Sequence, residues 1–269
     1  MIMVMKRKAG RGGEAFMKGF AARVKVLVAA AVAAALIYLL WLPYVPRLKT
    51  ENPARTAIME RRTRQAAEKG KKFQPQMFWM SKAKMSRYLV NAVMLAEDDT
   101  FYQHHGFDFD QIRIAVQINW KKKKFAYGGS TITQQLARTL YLSPSKNLLR
   151  KLKEAIITVW MEMTLSKSRI LEIYLNVVEW GDGIFGAEAA AQHYYQKSAT
   201  ELTPEESVAL ASILPSPRKW SPLRETKFMK YRRSNILSRM ELPQVVPALS
   251  TETQKIEEGL ADELEDKPD

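Results

Sequence analysis

Three consecutive acids form the first cluster of residues that could do chemistry. Glu97, Asp98 and Asp99 lie in the run AEDDTFYQHHGFD, at the end of an apolar stretch. Repulsion between neighbouring carboxylates tends to raise a carboxyl pKa, and so do apolar neighbours such as Leu95 and Phe101. A carboxylate tuned in this way can serve as a general base. The alternative is an ordinary charged helix end.

A run of small residues predicts a helix start that could hold an anion. Residues 128–135 read GGSTITQQ, and Thr131 with Gln134 three positions later matches a capping box. A helix N-terminus offers unpaired backbone N–H groups and the positive end of the helix dipole, which favour an anion. Arg138 lies one turn beyond Gln134 and could contact the same ligand. The GxxxxGK[ST] spacing of a Walker loop is missing.

A third cluster combines two cations with an acid. Arg150 and Glu154 are four residues apart, and Lys151 and Glu154 are three apart, so their side chains are neighbours on a helix. One interpretation is a surface ion pair, which contributes little to stability. The other is a cationic site for a diphosphate, in which Glu154 orients the cations or holds a divalent ion.

Dedicated metal or thiol chemistry is not predicted. The chain has no cysteine, which excludes a disulfide framework, a thiolate zinc site and a cysteine nucleophile. His104 and His105 are adjacent and do not share a helix face, so we expect packing or a hydrogen bond there. Glu154 is the residue at which a divalent ion could bind.

Helices are the elements expected to position these clusters. Apolar residues recur at helical spacing before Glu97 and between Asp110 and Trp120, and residues 203–206 (TPEE) form a strong helix start. No long alternating run predicts a sheet, so the fold should be mostly α. Another helix carries an apolar stripe that comprises Leu148, Leu152, Ala155, Ile156, Val159 and Met163.

An apolar segment near the N-terminus predicts a membrane span. Val26 to Leu42 contains seventeen residues without a charge or a proline, close to the length that crosses a bilayer core. A buried core helix and a cleaved signal peptide are the alternatives. Basic flanks argue against the first, and the bulky stretch Tyr38–Tyr44 argues against a cleavage site. Because the preceding residues are the more basic, we expect the N-terminus inside and the folded part outside the cytoplasm.

The net charge and the composition of the chain limit the classes of partner that it can bind. The 269 residues carry 42 Lys and Arg against 28 Asp and Glu, a net charge of +14, which favours nucleic acid, anionic lipid or a phosphorylated substrate. A folded part outside the cytoplasm argues against nucleic acid. A hydrophobic content of 46% excludes a wholly disordered chain.

The predicted segments are a basic cytoplasmic tail over 1–25, a transmembrane anchor over 26–46, a basic juxtamembrane connector over 47–72, a catalytic domain over 73–240 and an acidic tail, expected to be disordered, over 241–269.

Two further segments combine large apolar side chains with lysines, a composition that suits a bilayer interface. Residues 77–80 read MFWM between lysines, and residues 120–125 read WKKKKF. The alternative for the first segment is a buried aromatic cluster with a basic rim.

The order of the motifs resembles that of one enzyme family. EDxxFxxHxG begins at Glu97, GGSTITQQL at Gly128, RKxxE at Arg150, ILExYLN at Ile170 and ALASILPSP at Ala209. Together they resemble the five motifs of the peptidoglycan glycosyltransferases of family 51, over roughly residues 75–220. The single anchor and the short chain are similar to the monofunctional members of that family.

The resemblance implies a fold and a reaction. The family fold is a lysozyme-like helical lobe with a smaller membrane-contacting lobe. Such enzymes polymerise lipid II, a disaccharide-peptide on a polyprenyl diphosphate. The 4-hydroxyl of the acceptor sugar attacks the anomeric carbon of the growing chain, with inversion, and lipid diphosphate leaves. Expected partners are lipid II, nascent glycan strands and the inner membrane at its periplasmic side, with cell-wall synthesis or division proteins as further candidates and Mg²⁺ or Mn²⁺ as the candidate cofactor.

The resemblance also implies roles for individual residues. The family's base falls on Glu97 and its second carboxylate on Glu154, so both are predicted to be catalytic. The chain departs from the family at Arg138-Thr139, where Lys-Asn is usual; Arg keeps the charge but presents a planar fork. The residues predicted to line the sugar-diphosphate cleft are Ser130, Thr131, Gln134, Gln135, Arg138, Arg150 and Lys151.

Two other functions stay open at this point. A lysozyme-like enzyme that cleaves glycan would share the α-rich fold and a catalytic glutamate but would need no diphosphate site. A non-enzymatic scaffold of the cell-wall synthesis complex would not require Glu97, Glu154 and the cations together.

Overall fold

The computed structural model describes residues 6–123, 128–143, 145 and 147–241, with side chains from Arg23 to Met240. Within this part the chain is mostly helical, which confirms the predicted class. Lys124 and Phe125 of the second aromatic segment and residues 242–269 of the acidic tail lie outside the described residues. The helices are α1 (Lys6–Leu40), α2 (Ala57–Glu68), α3 (Arg87–Glu97), α4 (Phe109–Lys122), α5 (Ile132–Tyr141), α6 (Leu148–Thr164), α7 (Lys167–Val177), α8 (Ala187–Tyr195), α9 (Pro204–Ile213) and α10 (Lys227–Glu241), with short 3₁₀ helices at Val45–Lys49 and Lys82–Lys84.

Helix α1 contains residues 26–40 of the predicted anchor, and the rest of that segment leads into the 3₁₀ helix at Val45–Lys49, where Val45 is buried. From Arg23 to Lys49 the chain has the length and the apolar composition of a helix that crosses a membrane. Large apolar side chains such as Val26, Leu36 and Leu40 are exposed along it. The described part of the basic tail, from Lys6 onward, is helical and continuous with the apolar segment.

The segment predicted as a connector packs against the folded domain. Helix α2 begins after Thr56, whose hydroxyl accepts a hydrogen bond from the Met59 backbone N–H at 3.2 Å. Met59 is buried, and Arg62 pairs with Glu179 and Asp182 far along the chain. This helix was not predicted, because its one buried residue does not produce an apolar stripe.

The core joins the helices that carry the candidate clusters. Helix α3 packs against α9 and α10, and α5 packs against α6 and α7. Fully buried side chains such as Leu89, Leu136, Tyr174 and Trp180 belong to one continuous core. Three strands, β1 (Gln76–Met77), β2 (Glu179–Gly181) and β3 (Ile184–Phe185), form a small sheet in which β3 is parallel to β1 and antiparallel to β2. These strands are too short to show the alternation that predicts a sheet.

Helix α6 turns its apolar stripe outward. Such a stripe ordinarily faces a core, yet Leu148 and Met163 are 75% and 82% exposed, and Leu152, Ile156 and Val159 are exposed as well. The opposite face is buried against α5 and carries the polar residues Arg150, Lys153, Glu154 and Thr158.

The two aromatic segments have different surroundings. In the first, Met77, Trp79 and Met80 pack against the core, and Phe78 is about half exposed. The side-chain amide of Asn176 donates to the Met80 carbonyl at 2.8 Å and accepts from the Met80 N–H at 2.8 Å. The first segment is therefore mainly part of the core. In the second, Trp120 is exposed at the end of α4.

Candidate active site

A cleft of about 420 Å³ lies where the end of α3, the start of α5 and helix α10 meet. It brings together five of the predicted site residues, namely Glu97, Ser130, Thr131, Gln135 and Arg138. Its further polar lining consists of Asp98, Asp99, Asp108, Gln111, Arg232, Asn235 and Arg239.

Glu97 is the last residue of α3, and its side chain is only 10% exposed. Gln135 Nε2 donates to Glu97 Oε2 at 3.0 Å, and Arg232 Nη2 donates to Oε1 at 3.2 Å. Burial raises the pKa of Glu97, and the charge of Asp98 adds to this effect. The charges of Arg232 and Arg138 and the hydrogen bond from Gln135 lower that pKa in part. A buried carboxyl with a raised pKa at the edge of a cleft has the properties of a general base.

Asp98 holds the start of α5 in place. Its Oδ2 accepts from the backbone N–H of Ile132 at 2.9 Å, and its Oδ1 lies 2.9 Å from His104 Nε2. The Gly106 N–H donates to His104 Nδ1 at 3.1 Å, so Nε2 carries the hydrogen that Asp98 accepts. Both carboxylate oxygens of Asp98 are therefore engaged by the protein, and His104 has the hydrogen-bonding role expected for it.

Helix α10 supplies two arginines that the sequence analysis missed. Arg232 contacts Glu97, 135 residues away in the chain. Arg239 pairs with Asp99 and donates to the carbonyl of Leu95 at 3.0 Å. No local spacing signals contacts over such separations, although a cluster of arginines late in the domain was visible in the sequence.

Gln135 links Glu97 to the core. The Tyr174 hydroxyl donates to Gln135 Oε1 at 3.0 Å, which leaves the Gln135 amide nitrogen to face Glu97. Tyr174 is fully buried, and burial raises its pKa well above the ordinary value, so it stays a neutral donor. The chain from Tyr174 through Gln135 therefore fixes the orientation of the Glu97 carboxylate.

The capping box at the start of α5 is confirmed. Thr131 Oγ1 accepts from the Gln134 N–H at 3.3 Å, and Gln134 Oε1 accepts from the Thr131 N–H at 3.1 Å. The Ile132 N–H is also occupied, because it donates to Asp98. Contrary to the prediction, the backbone N–H groups of Thr131, Ile132 and Gln134 are therefore not open to an anion. The side chains of Ser130 and Arg138 reach the cleft, whereas Gln134 is buried and does not line it.

Arg150, Lys151 and Glu154 form a separate cluster on α6. Glu154 is fully buried, so the interpretation as a surface ion pair does not hold for it. Arg150 Nη1 donates to Glu154 Oε2 and Lys151 Nζ donates to Oε1, each at 2.5 Å. The Lys151 side chain is 45% exposed, and among the described residues nothing hydrogen-bonds to the buried Arg150 Nε. Lys151 is the exposed cation of this cluster, and none of the three residues lines the cleft of Glu97.

The carboxylates do not fit a metal ion held by the protein. Both oxygens of Glu154 accept from cations, and both oxygens of Glu97 accept from Gln135 and Arg232. Over the ranges that the structure describes, no group of three or more His, Asp or Glu side chains could hold a metal ion.

The cleft lies within a region that a known family shares. The family model described as Transglycosylase matches residues 63–241, two thirds of the chain, from the middle of α2 to the end of α10. The chain belongs to the transglycosylase family. Membership makes it an enzyme of this class, with the glycosyl-transfer chemistry that the motifs indicated. The match begins before position 73, in keeping with the packing of α2 on the domain.

Several relatives are similar over most of their length. A protein of Dechloromonas aromatica (strain RCB) named biosynthetic peptidoglycan transglycosylase is 42% identical over 218 residues, which cover 81% of this chain and 94% of the relative. Proteins with the same name from Azoarcus sp. (strain BH72) and Nitrosospira multiformis are 48% identical over 192 residues and 46% identical over 189 residues. These alignments cover 71% and 70% of this chain and 83% and 82% of the relatives.

Proposed function

We propose that this transglycosylase builds peptidoglycan by polymerising the disaccharide units of lipid II. The observation that carries the proposal is the buried Glu97 carboxyl, whose pKa is raised, at the edge of a cleft lined by arginines. The names of the relatives support peptidoglycan as the product class.

In the proposed reaction Glu97 removes the proton from the 4-hydroxyl of the acceptor sugar. The hydroxyl oxygen then forms a bond to the anomeric carbon of the lipid-linked growing chain. The bond from that carbon to the diphosphate oxygen breaks with inversion, and polyprenyl diphosphate leaves with the electron pair. Gln135 and Arg232 hold Glu97 for this transfer, and Arg232 favours its ionised form.

Cationic side chains are proposed to bind the diphosphate that leaves. Arg138 and Ser130 contact it from the cleft, in place of the backbone N–H groups that the capping box occupies. Lys151 and Arg150 supply further donors from α6, and Glu154 fixes the direction of both cations. Cations that meet charge developing on a leaving group lower the barrier of such a transfer.

We keep a divalent ion as a proposal of its own. Because the carboxylates do not fit a protein-held metal, Mg²⁺ or Mn²⁺ would enter bound to the substrate diphosphate. Polymer formation that is lost with chelator and restored by either metal supports this role. Unchanged rates in chelator contradict it.

The proposed location is the periplasmic side of the inner membrane, with α1 as a single anchor. The apolar α1 and the exposed apolar face of α6 support contact with a bilayer. Since the chain has no cysteine, one introduced at the exposed Leu223 should react with a membrane-impermeant maleimide in intact spheroplasts. Labelling only after lysis would place the domain in the cytoplasm. Proteins of cell-wall synthesis or division remain proposed partners.

The function is tested with purified lipid II and the variant Glu97→Gln. We expect the parent to form glycan polymer, and the variant to lose polymerisation while it keeps its fold and its binding of lipid II, because the amide cannot accept the proton. Incubation with preformed glycan strands tests the cleaving alternative. Near-normal chain growth in Glu97→Gln would remove Glu97 as the base, and cleavage of strands without polymer formation would contradict the synthetic function.

A further inference from the structure

Lys153 is a buried lysine on α6 that the reaction does not use. It is 9% exposed, and its Nζ donates to the backbone carbonyl of Tyr38 in α1 at 2.7 Å. The same ammonium lies 4.1 Å from the centroid of the Tyr38 ring. The contact joins residues 115 positions apart and links the membrane-spanning helix directly to α6.

The accepting carbonyl lies at a position where a cation is favourable. Tyr38 is in the last turn of α1, which ends at Leu40. Carbonyl groups in a last turn lack partners within the helix, and the helix dipole there attracts positive charge. Lys153 therefore caps the end of α1 by a contact that an apolar side chain could not make.

Partial burial of this ammonium carries a cost in solvation. Desolvation lowers the pKa of Lys153, so its charged form is less stable here than in water. Within the described part of the chain, no carboxylate pairs with Lys153, and its partners are the carbonyl and the ring of one residue. A partly buried charge whose partners both belong to Tyr38 points to a role in fixing the two helices together.

Lys153 is also adjacent to the proposed diphosphate cluster. Glu154 is the next residue, and Arg150 lies one turn earlier on the same buried face of α6. A shift of α6 relative to α1 therefore moves the cations that meet the substrate. The substrate lipid is confined to the bilayer, so the height of these cations above the membrane decides whether they reach its diphosphate.

We propose that Lys153 is a positioning residue that ties the end of the membrane anchor to α6 and so sets the height of Arg150 and Lys151 above the bilayer. The inference rests on the proposed function, because it assumes a lipid-linked diphosphate substrate. It makes the anchor a part of the active-site geometry as well as a tether.

The first test measures the depth of α6 at the membrane. A single cysteine at the exposed Val159, labelled with bimane in proteoliposomes, reports on α6 through quenching by lipids that are spin-labelled at several depths. We expect Lys153→Met to change the depth of strongest quenching. Lys49→Met, which removes an exposed charge from the 3₁₀ helix after the anchor, should keep the parental profile. Identical profiles for Lys153→Met and the parent would overturn the proposal.

The second test compares lipid II turnover in proteoliposomes and in detergent micelles. In bilayers we expect Lys153→Met to lower kcat/KM for lipid II about tenfold, mainly through a higher KM, because losing one charge-assisted hydrogen bond reduces the population in which Arg150 and Lys151 reach the diphosphate. In micelles, which lack a fixed plane, its turnover should match that of the parent. Lys153→Arg keeps a cationic donor and should restore turnover in bilayers.

The outcomes separate the two proposals. An equal loss of rate in both media together with a lower melting temperature would indicate a merely structural lysine and would overturn the positioning role, as would failure of Lys153→Arg to restore turnover. If the parent forms no polymer from lipid II in either medium, the proposed function fails. The quenching profiles still decide the role of Lys153 in that case.

Discussion

Removal of Arg232 is expected to shift the acidic limb of the pH–rate profile to higher pH. Arg232 Nη2 lies 3.2 Å from Glu97 Oε1, and both side chains are mostly buried, at 18% and 10% exposure. A hydrogen bond to a charged group in such surroundings contributes about 1.5–3 kcal/mol. In Arg232→Gln the ratio of ionised to protonated Glu97 at a given pH therefore falls roughly 10- to 150-fold.

The direction of the shift follows from the charge of Arg232. Its guanidinium lowers the pKa of Glu97 against the larger effect of burial, which raises it. Without Arg232 the pKa of Glu97 rises further, so the base becomes protonated at a pH where the parent is still active. We expect the variant to lose rate first on the acidic side and to recover part of it as the pH increases.

The assay is the initial rate of lipid II polymerisation across a pH series. Arg233→Gln is the matched control, because Arg233 neighbours Arg232 but donates to the carbonyls of Pro222 and Arg224. A uniform loss of rate at every pH, with the acidic limb unmoved, would refute the electrostatic role of Arg232. The same limb shift in Arg233→Gln would show that the effect is not specific to the contact with Glu97.

Three further substitutions test the fold and the α6 cluster. Gly186→Ala should lower the melting temperature, because Gly186 has a φ of +83° and a Cβ there would lie 2.5 Å from a backbone carbonyl oxygen. In the control Gly128→Ala, the added Cβ meets no atom within 4 Å. Equal melting temperatures for the two variants would contradict this reasoning. Glu154→Gln should reduce the free energy of unfolding in urea by about 3 kcal/mol, since a buried cation loses its counter-charge, and unchanged stability would refute the buried pairing. Lys151→Met should change the free energy of unfolding by less than about 1 kcal/mol, because its pair with Glu154 is partly exposed. The same variant should raise KM for lipid II. A parental KM would exclude Lys151 from the diphosphate site.

Local signals in the sequence were sufficient for some of the helices and their starts, although not for α2. The capping boxes at Thr131 and Thr203 follow from side chains three residues apart, and both are present. The apolar length of the anchor is likewise a property of one continuous segment. A serine before an apolar helix predicts a cap, yet the hydroxyl of Ser86, which precedes α3, does not cap that helix and donates to the Leu202 carbonyl 116 residues away.

Only the tertiary structure separated the roles of the three acids, all of which line the cleft. In the sequence, Glu97, Asp98 and Asp99 are three equivalent carboxylates. In the structure their contacts differ, because Asp98 accepts a hydrogen bond from the start of α5 and Asp99 pairs with α10. The burial that raises the pKa of Glu97 also comes from helices distant in sequence.

Tertiary contacts also decided which face of helix α6 is buried. The stripe from Leu148 to Met163 identified α6 as a helix, but its polar face is the buried one, because Arg150 and Lys151 find a counter-charge in Glu154 and Lys153 finds a carbonyl in α1. Residue types and spacing predicted a carboxylate base, a group of cations and an apolar anchor. Their arrangement depends on contacts between helices far apart in the chain, where burial and charge pairing act on atoms that sequence spacing does not relate.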